Sequence, residues 1–401
     1  MALLSVEEAL ARIVEGVEPL AAETVAVDAA HRRTLAAPLA ARLTQPPFDA
    51  SAMDGYAVRA ADVARLPATL RVVGQAAAGH PFPGSIGAGE AVRISTGAPL
   101  PAGADAVVIQ ENTAREGDRV VVREGMPDPG NVRRRGFDFA EGEVLLGPGR
   151  RLGAREVSLA AAMGHGRVPV RRRPRVAVLS TGDELVAPGE QPGPGQIVSS
   201  NHLGVAALAE TAGAEVRFLG IARDTRDSLE AHLARAEDVD ILVTIGGASV
   251  GEHDLVGPVL GARGMQLAFW KIAMRPGKPL MFGRLGPARV LGLPGNPVSA
   301  LVCTRVFLVP LVRALLGQPA RDGAPAQARA AVALAANGPR QHYMRATSMP
   351  GPDGLLAVTP VRSQDSSLLA PLAQADCLLV RPPDAPAAPA GSIVPVLPLD
   401  F

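Results

Sequence analysis

Between Pro174 and Leu316, short apolar runs alternate with amphipathic segments, and this alternation restricts the fold more than any other feature of the chain. PRVAVLS, DILVTIGG and ARVLGLPG read as buried strands, and EVRFLGIA reads as a further strand. HLGVAALAETAG, TRDSLEAHLARAED and PVSALVCTRVFLVPLVRALLG read as helices, the first ending at Gly213. Strands that alternate with helices build a parallel sheet joined by crossovers. Ligands of such sheets sit in loops beyond the carboxyl ends of the strands.

The chain has 401 residues, more than one ordinary core of about 150 residues holds. The expected class is α/β plus β, in several domains. Residues 1–44 and 146–173 read as a discontinuous N-terminal linker or dimerisation domain. Residues 45–145 read as a small inserted β-rich domain, from TLRVVG, AVRIST, DAVVIQ and DRVVVRE. Residues 174–320 form the α/β domain. After a small-residue linker, ARDGAPAQARA, residues 328–401 form a compact C-terminal β domain with the β runs AVALAA, LLAVTPV, CLLVRPP and SIVPVLPL. At the N-terminus, Ser5 and Glu8 form a capping box, and Val6, Ala9, Leu10, Ile13 and Val14 fall on one helical face. With no basic leader, this is a helix and not a signal peptide.

The formal net charge is +1, so no global field draws nucleic acid or an acidic membrane, and any anion must be held locally. Arg171–Arg173 is a short run without interleaved aromatics and reads as a solvated linker. Cys303 and Cys377 stand far apart, outside any disulfide or zinc spacing, and read as small buried residues. The apolar stretch Ser299–Leu316 contains Arg305, Pro310 and Arg313, which suits a buried helix better than a membrane span. A cytoplasmic protein without nucleic-acid or membrane partners is expected.

Three loops follow buried strands of the α/β part. STGDEL offers Thr181, Gly182 and Asp183. GGASVGEHD offers Gly246, Gly247, Ser249 and Gly251. LPGNPVSA offers Pro294, Gly295 and Asn296. Glycine lets a backbone approach a ligand closely, and amides at a helix start can hold phosphate oxygens. Each loop alone is an ordinary turn. On one edge of one sheet they favour a phosphorylated ligand. Asp183, Glu184, Asp224 and Asp254 would repel that ligand unless a cation intervened, and Mg²⁺ is the usual mediator. Helix capping and turn formation use the same acids. In MRPGKP, Arg275 and Lys278 flank Pro276 and Gly277, just before the strand PLMFG. The prolines restrict the backbone and would project both cations together, as a tetrahedral oxyanion requires. A solvated surface turn would carry the same residues. Neither GxxxxGK[ST] nor GxGxxG occurs.

SAMDGYAV, RRGFDFAEGE, STGDEL, GGASVGEHD, FWKIAMRPGKP and LPGNPVSA follow one another in this order. Together they closely resemble the molybdopterin molybdenumtransferases of the MoeA and gephyrin E-domain family, over nearly the whole chain. The resemblance implies an elongated homodimer with a molybdopterin-binding-type α/β domain. It implies a reaction that takes adenylylated molybdopterin, molybdate and Mg²⁺, releases AMP and delivers molybdenum to the dithiolene sulfurs. By the same resemblance, Asp54 and Asp138 are active-site carboxylates that face the α/β domain across the dimer interface. Glu184, Asp224 and Asp254 are metal- and substrate-facing acids, and Gly246, Gly247, Ser249 and Gly251 form the pterin-phosphate loop. Arg275, Lys278 and Pro279 line the molybdate pocket, with Arg345 and Ser366 as further oxyanion contacts. The catalytic set is then Asp54, Asp138, Glu184, Asp254 and Lys278. This chain departs from the family at Arg275, where lysine is common, and at Ser199, where an acid is common. It also departs at Asp365, where glycine is common, and at Ala370 and Pro371, which replace a serine pair. The alternative is a non-catalytic molybdopterin carrier or scaffold, and the retained acids favour catalysis.

Overall fold

The computed structural model describes residues 3–247, 255–320, 323, 325–351 and 354–399. The chain forms two compact units. One comprises Met1–Glu23, Arg32–Ala36 and Val170–Phe401, and the other comprises Thr24–His31 and Ala37–Pro169.

The larger unit is built on a six-stranded sheet in the order Glu215–Ala222, Arg175–Thr181, Ile241–Ile245, Ala288–Leu293, Pro279–Leu285, Gln266–Lys271. The first four strands are parallel. Helices Asn201–Ala212 and Arg226–Leu233 provide crossovers, as the alternating pattern implies. Gly213 ends the first of these helices at φ 109°, in the left-handed region. The last two strands run antiparallel to their neighbours. Only Gly286 and Pro287 separate Pro279–Leu285 from Ala288–Leu293, a link too short for a parallel crossover. The parallel sheet therefore carries an antiparallel extension.

The core of this unit surrounds the helical segment Pro297–Leu315. The segment is long and apolar enough to cross a membrane, yet 72% of it is buried inside the protein. Cys303, Phe307, Leu308, Leu311 and Val312 are fully covered. A π-helical turn at Thr304–Leu308 lets the Val309 N–H reach the Thr304 carbonyl. It ends two residues before Pro310, which has no N–H to donate, so the widened turn absorbs the proline without breaking the helix. Helix Val6–Val14 packs into the same core through Val6, Ala9, Leu10 and Ile13. Its capping box is formed: the Glu8 amide donates to Ser5 Oγ at 3.1 Å and the Ser5 amide to Glu8 Oε2 at 2.9 Å.

Five strands of the C-terminal region close on themselves: Gln341–Pro350, Leu356–Pro360, Ala326–Ala330, Ile393–Pro398, Cys377–Arg381 and back to Gln341–Pro350. Closure leaves no free edge among them. AQARA, expected in the linker, is one of these strands. AVALAA forms only an isolated bridge, Leu334 to Ala388. Met274–Arg275 adds a short parallel strand that pairs Arg275 with His342. The turn expected to hold cations is thus tied to the barrel.

The smaller unit contains a six-stranded sheet in the order Ala106–Ile109, Gly55–Val58, Glu90–Ile94, Ala68–Ala76, Arg119–Val122, Thr113–Glu116. It also contains helix Ala154–Ala162.

Candidate active site

The four parallel strands end at Thr181, Ala222, Ile245 and Leu293. Their loops are stitched together by main-chain bonds. The Gly182 amide donates to the Ala222 carbonyl at 3.1 Å, and the Gly246 amide to the Leu293 carbonyl at 3.1 Å. Thr181 Oγ1 donates to the Ile245 carbonyl at 3.4 Å, and Asn201 Nδ2 to the Gly295 carbonyl at 2.6 Å. Glycine is required where the loops converge. At Gly246, φ is +89° and a Cβ would lie 2.6 Å from the Thr181 carbonyl oxygen. The strand ends thus present a nearly bare backbone surface. Ser249, Gly251 and Asp254 lie outside the described residues.

Acids border this surface. Asp183 Oδ1 accepts from the Asp224 amide at 3.3 Å, and Arg223 Nη1 donates to the Asp183 carbonyl at 2.8 Å. Asp183 therefore serves as the clasp between two strand ends. Glu184 and Asp224 are exposed on the same two loops. Among the described residues their carboxylates have no hydrogen-bond or ion-pair partner, and no group of three or more metal-ligating side chains forms. Two free carboxylates suit Mg²⁺, which is commonly held by one or two carboxylates plus phosphate oxygens and water.

The MRPGKP turn is anchored from beneath. Gly277 is buried at φ +105°, and a Cβ there would lie 2.4 Å from Cys303 Sγ. The Ile272 amide donates to the Lys278 carbonyl at 3.1 Å. With its base fixed this way, the turn leaves Arg275 and Lys278 exposed. Neither forms an ion pair with a described carboxylate. Burial, followed by the charges of Arg275, Arg340 and Arg345, pushes the His342 imidazole down to about 4, so it adds no competing charge at neutral pH.

Arg345 has a different role from the one expected. It is 1% exposed. Its Nη1 donates to the Leu368 carbonyl at 2.8 Å, and its Nη2 to the carbonyls of Ser363 at 3.0 Å and Asp365 at 2.9 Å. It organises the 363–368 loop, with its guanidinium turned to main-chain carbonyls instead of a ligand. Ser366 in that loop meets the LPGNP segment: its carbonyl accepts from the Val298 amide at 3.1 Å, and its Oγ accepts from Asn296 Nδ2 at 2.9 Å. Asp365 is exposed, and the amide and hydroxyl of Ser367 hold its carboxyl below the usual range. Ser199 is buried, with its Oγ 3.4 Å from Ser180 Oγ and 3.2 Å from His202 Nδ1. His202 stacks on Phe218 at 4.0 Å between ring centroids. This departure belongs to a packed polar cluster. Asn201 and Arg223, which the sequence did not single out, help to join the strand ends. Their only signal was their position directly after strand or loop residues of the sheet edge.

In the smaller unit, Asp54 Oδ1 accepts from the Thr96 amide at 2.7 Å and from Thr96 Oγ1 at 3.0 Å. Those two bonds, the amide first, hold its carboxyl below the usual range. Asp138 is exposed, and its amide donates to the Gln45 carbonyl at 3.0 Å. Asp49 accepts from Arg134 Nη1 at 2.7 Å and from the Arg135 amide at 2.8 Å. The segments carrying Asp54 and Asp138 are therefore clasped side by side.

Three family models match the chain. They are the MoeA N-terminal region (domain I and II) at residues 4–164, the probable molybdopterin binding domain at residues 177–314 and the MoeA C-terminal region (domain IV) at residues 327–399. A molybdopterin molybdenumtransferase of Haemophilus influenzae is 37% identical over 402 residues, covering 99% of both chains. One from a Nostoc species is 40% identical over 372 residues, covering 90% of this chain and 85% of that one. A solved molybdopterin biosynthesis MoeA protein from Pyrococcus horikoshii superposes with a TM-score of 0.83 at 26% identity, covering 98% of this chain and 99% of that one. Another solved MoeA structure gives 0.81 at 31% identity over the full length of both chains.

Proposed function

This chain belongs to the molybdopterin molybdenumtransferase family, and we propose that it joins molybdate to adenylylated molybdopterin in a Mg²⁺-dependent reaction that releases AMP. Its place in molybdenum cofactor biosynthesis, its being a transferase and molybdopterin as its substrate follow from membership. A carrier or scaffold is not favoured, since relatives named as the enzyme match from end to end.

One observation carries the finer reading. A bare glycine surface, two carboxylates and a turn with two cations, all four side chains without an ion-pair partner among the described residues, belong to one unit, around the ends of its parallel strands. In the proposed reaction a water molecule attacks the phosphoanhydride and AMP leaves, while the two dithiolene sulfurs give up their protons and replace two oxygens of molybdate, which depart as water. Gly182, Gly246, Gly247 and Gly295 let the pterin phosphate approach the backbone. Arg275 and Lys278 attract and orient the molybdate dianion. Arg345 holds the loop that brings Ser366 to Asn296. Glu184 and Asp224, with Asp254, are the residues that would hold Mg²⁺. When bound, the ion supplies charge neutralisation at the phosphates and polarises the bond to the leaving AMP. Asp54 and Asp138 are assigned as catalytic carboxylates, and Asp54 is already ionised and oriented by Thr96. The reading includes a cytoplasmic homodimer.

The test is a Mg²⁺ titration of AMP release by the wild type, Glu184→Gln and Asp224→Asn. Each variant should need roughly tenfold or more Mg²⁺ for half-maximal release. An unchanged requirement in both variants would remove these residues as metal ligands.

A further inference from the structure

Glu184 and Asp224 occupy matching places on two neighbouring loops. Their strands are adjacent and parallel, with Thr181 opposite Ala222. Each carboxylate directly follows a residue whose side chain reaches across to the other loop. Asp183 Oδ1 accepts from the Asp224 amide at 3.3 Å, and Arg223 Nη1 donates to the Asp183 carbonyl at 2.8 Å, on the peptide that leads into Glu184. Both bracing bonds thus end on the main chain beside a carboxylate, and neither uses an oxygen of the Glu184 or Asp224 side chain.

The loops are stiff on either side of this brace. The Arg223 amide donates to Ser228 Oγ at 3.0 Å, and the Thr225 amide to the Arg223 carbonyl at 2.8 Å. Helix Arg226–Leu233 follows, capped by Thr225 Oγ1, which accepts from the Ser228 amide at 3.3 Å. On the other loop the Ile197 amide donates to the Glu184 carbonyl at 2.8 Å. Gly182 seats the Glu184 side chain. Its φ is +150°, and a Cβ there would lie 2.3 Å from Glu184 Oε2 and 2.7 Å from Glu184 Cδ. The carboxylate therefore rests on the bare glycine whose amide is bonded to the strand end leading into Asp224.

We propose that Arg223 and Asp183 are positioning residues, which set the separation of the Glu184 and Asp224 carboxylates and through it the choice of divalent ion. That these carboxylates hold a metal rests on the function proposed above. Mg²⁺ demands near-ideal octahedral geometry with oxygens at about 2.0–2.1 Å, whereas Ca²⁺ accepts oxygens at about 2.3–2.6 Å in flexible arrangements. A spacing held for the smaller ion is lost when the loops part, and the larger ion tolerates the change. The charge of Arg223 works in the opposite direction, since a cation beside the pair opposes every divalent ion. Truncating Arg223 relieves that repulsion, so weaker Mg²⁺ binding in the truncated protein reports lost placement.

The experiment uses Mn²⁺, which like Mg²⁺ favours octahedral oxygen ligands. Full-length protein is titrated into Mn²⁺ while the EPR signal of the free ion is followed, and the bound ion is then displaced with Mg²⁺ and, separately, with Ca²⁺. Arg223→Ala and Asp183→Ala should weaken Mn²⁺ and Mg²⁺ about tenfold, as loss of a partner behind the metal ligands does. Ca²⁺ should weaken by no more than about twofold. Asp183→Asn removes the charge but keeps the Oδ1 acceptor, and should keep the wild-type ratio of Mg²⁺ to Ca²⁺ affinity. Arg223→Lys should fall between wild type and Arg223→Ala. Arg226→Ala is the control, since Arg226 pairs with Glu230 at 3.5 Å and its loss removes a nearby charge without touching the brace. Thermal melts identify any variant that fails to fold, and Arg223→Lys then carries the comparison. An unchanged Mg²⁺ to Ca²⁺ ratio in the folded Arg223 and Asp183→Ala variants overturns the inference, as does tighter binding of every ion by Arg223→Ala. Glu184→Gln and Asp224→Asn, titrated in the same way, separate the two claims. If they weaken Mn²⁺ while the brace variants keep the wild-type ratio, the metal site stands and the brace falls. If they leave Mn²⁺ binding unchanged, or the wild type binds none, the metal reading fails and the brace fails with it.

Discussion

Gly277 shows how tightly the cationic turn is specified at the scale of one residue. Its φ of +105° disfavours any side chain, and the nearest atom to a new Cβ is Cys303 Sγ at 2.4 Å. Gly277→Ala should therefore destabilise by about 2–3 kcal/mol, through backbone strain and overpacking together. Denaturant midpoints should show that loss. Adding Cys303→Ala, which opens space beneath the turn, should recover part of it, and strictly additive losses would show that the thiol is not the obstacle. His342 leads to a pH effect. Its folded pKa, about 4, lies below the ordinary value of 6.5. Between those values the unfolded chain binds more protons, so stability is complete above pH 6.5 and falls as pH drops toward 4. His202 is shifted in the same direction by burial, so His342→Gln should lessen this slope without abolishing it. An identical slope in the variant would place the titration elsewhere. The HYMRA motif pointed to a cation, and the structure supplies one. Its burial depended on carbonyls some 18 to 23 residues further along, which no local pattern encodes.

At the scale of elements, the 363–368 loop is held to the barrel by its own Gln364, which exchanges hydrogen bonds with the Arg345 main chain, and by the guanidinium of Arg345. Replacing Arg345 by Met keeps the volume but deletes all three guanidinium bonds to Leu368, Ser363 and Asp365. We expect a loss of about 2–4 kcal/mol, because a fully buried side chain would lose three charge-assisted bonds and three part-buried carbonyls their donor. Proteolysis should increase within 363–368, and an unaltered cleavage rate would mean that Gln364, Asn296 and Val298 hold the loop without the guanidinium. Much of the element pattern was legible in the sequence. The runs PRVAVLS, DILVTIGG and ARVLGLPG form strands that are buried throughout except at Arg175, and their apolar continuity admits little else. Gln266–Lys271 was missed as a strand because three of its six residues are exposed and it lies at the sheet edge. Ala326–Ala330 looked like linker because its small and polar residues take strand form only by pairing with Leu356–Pro360 and Ile393–Pro398. The antiparallel turn at the sheet's far side was readable in principle, from the two residues that separate its strands.

At the scale of the whole molecule, the ordered motifs made the family legible, because each loop alone is an ordinary turn while six motifs in one order are not. What each acid does was not legible, since Asp183 and Glu184 are neighbours in sequence and yet one closes a turn while the other stays free. The proposed homodimer should appear in sedimentation equilibrium as twice the 41.2 kDa chain mass, and a monomer at micromolar concentration would contradict it. The most direct test of the central claim is AMP release from adenylylated molybdopterin by purified protein with Mg²⁺, measured with and without molybdate. The account predicts release that requires molybdate, with one molybdenum bound to pterin for each AMP, and predicts that Asp54→Ala folds but does not turn over. Release at the same rate without molybdate, or tight binding of the substrate with no release at all, would contradict it.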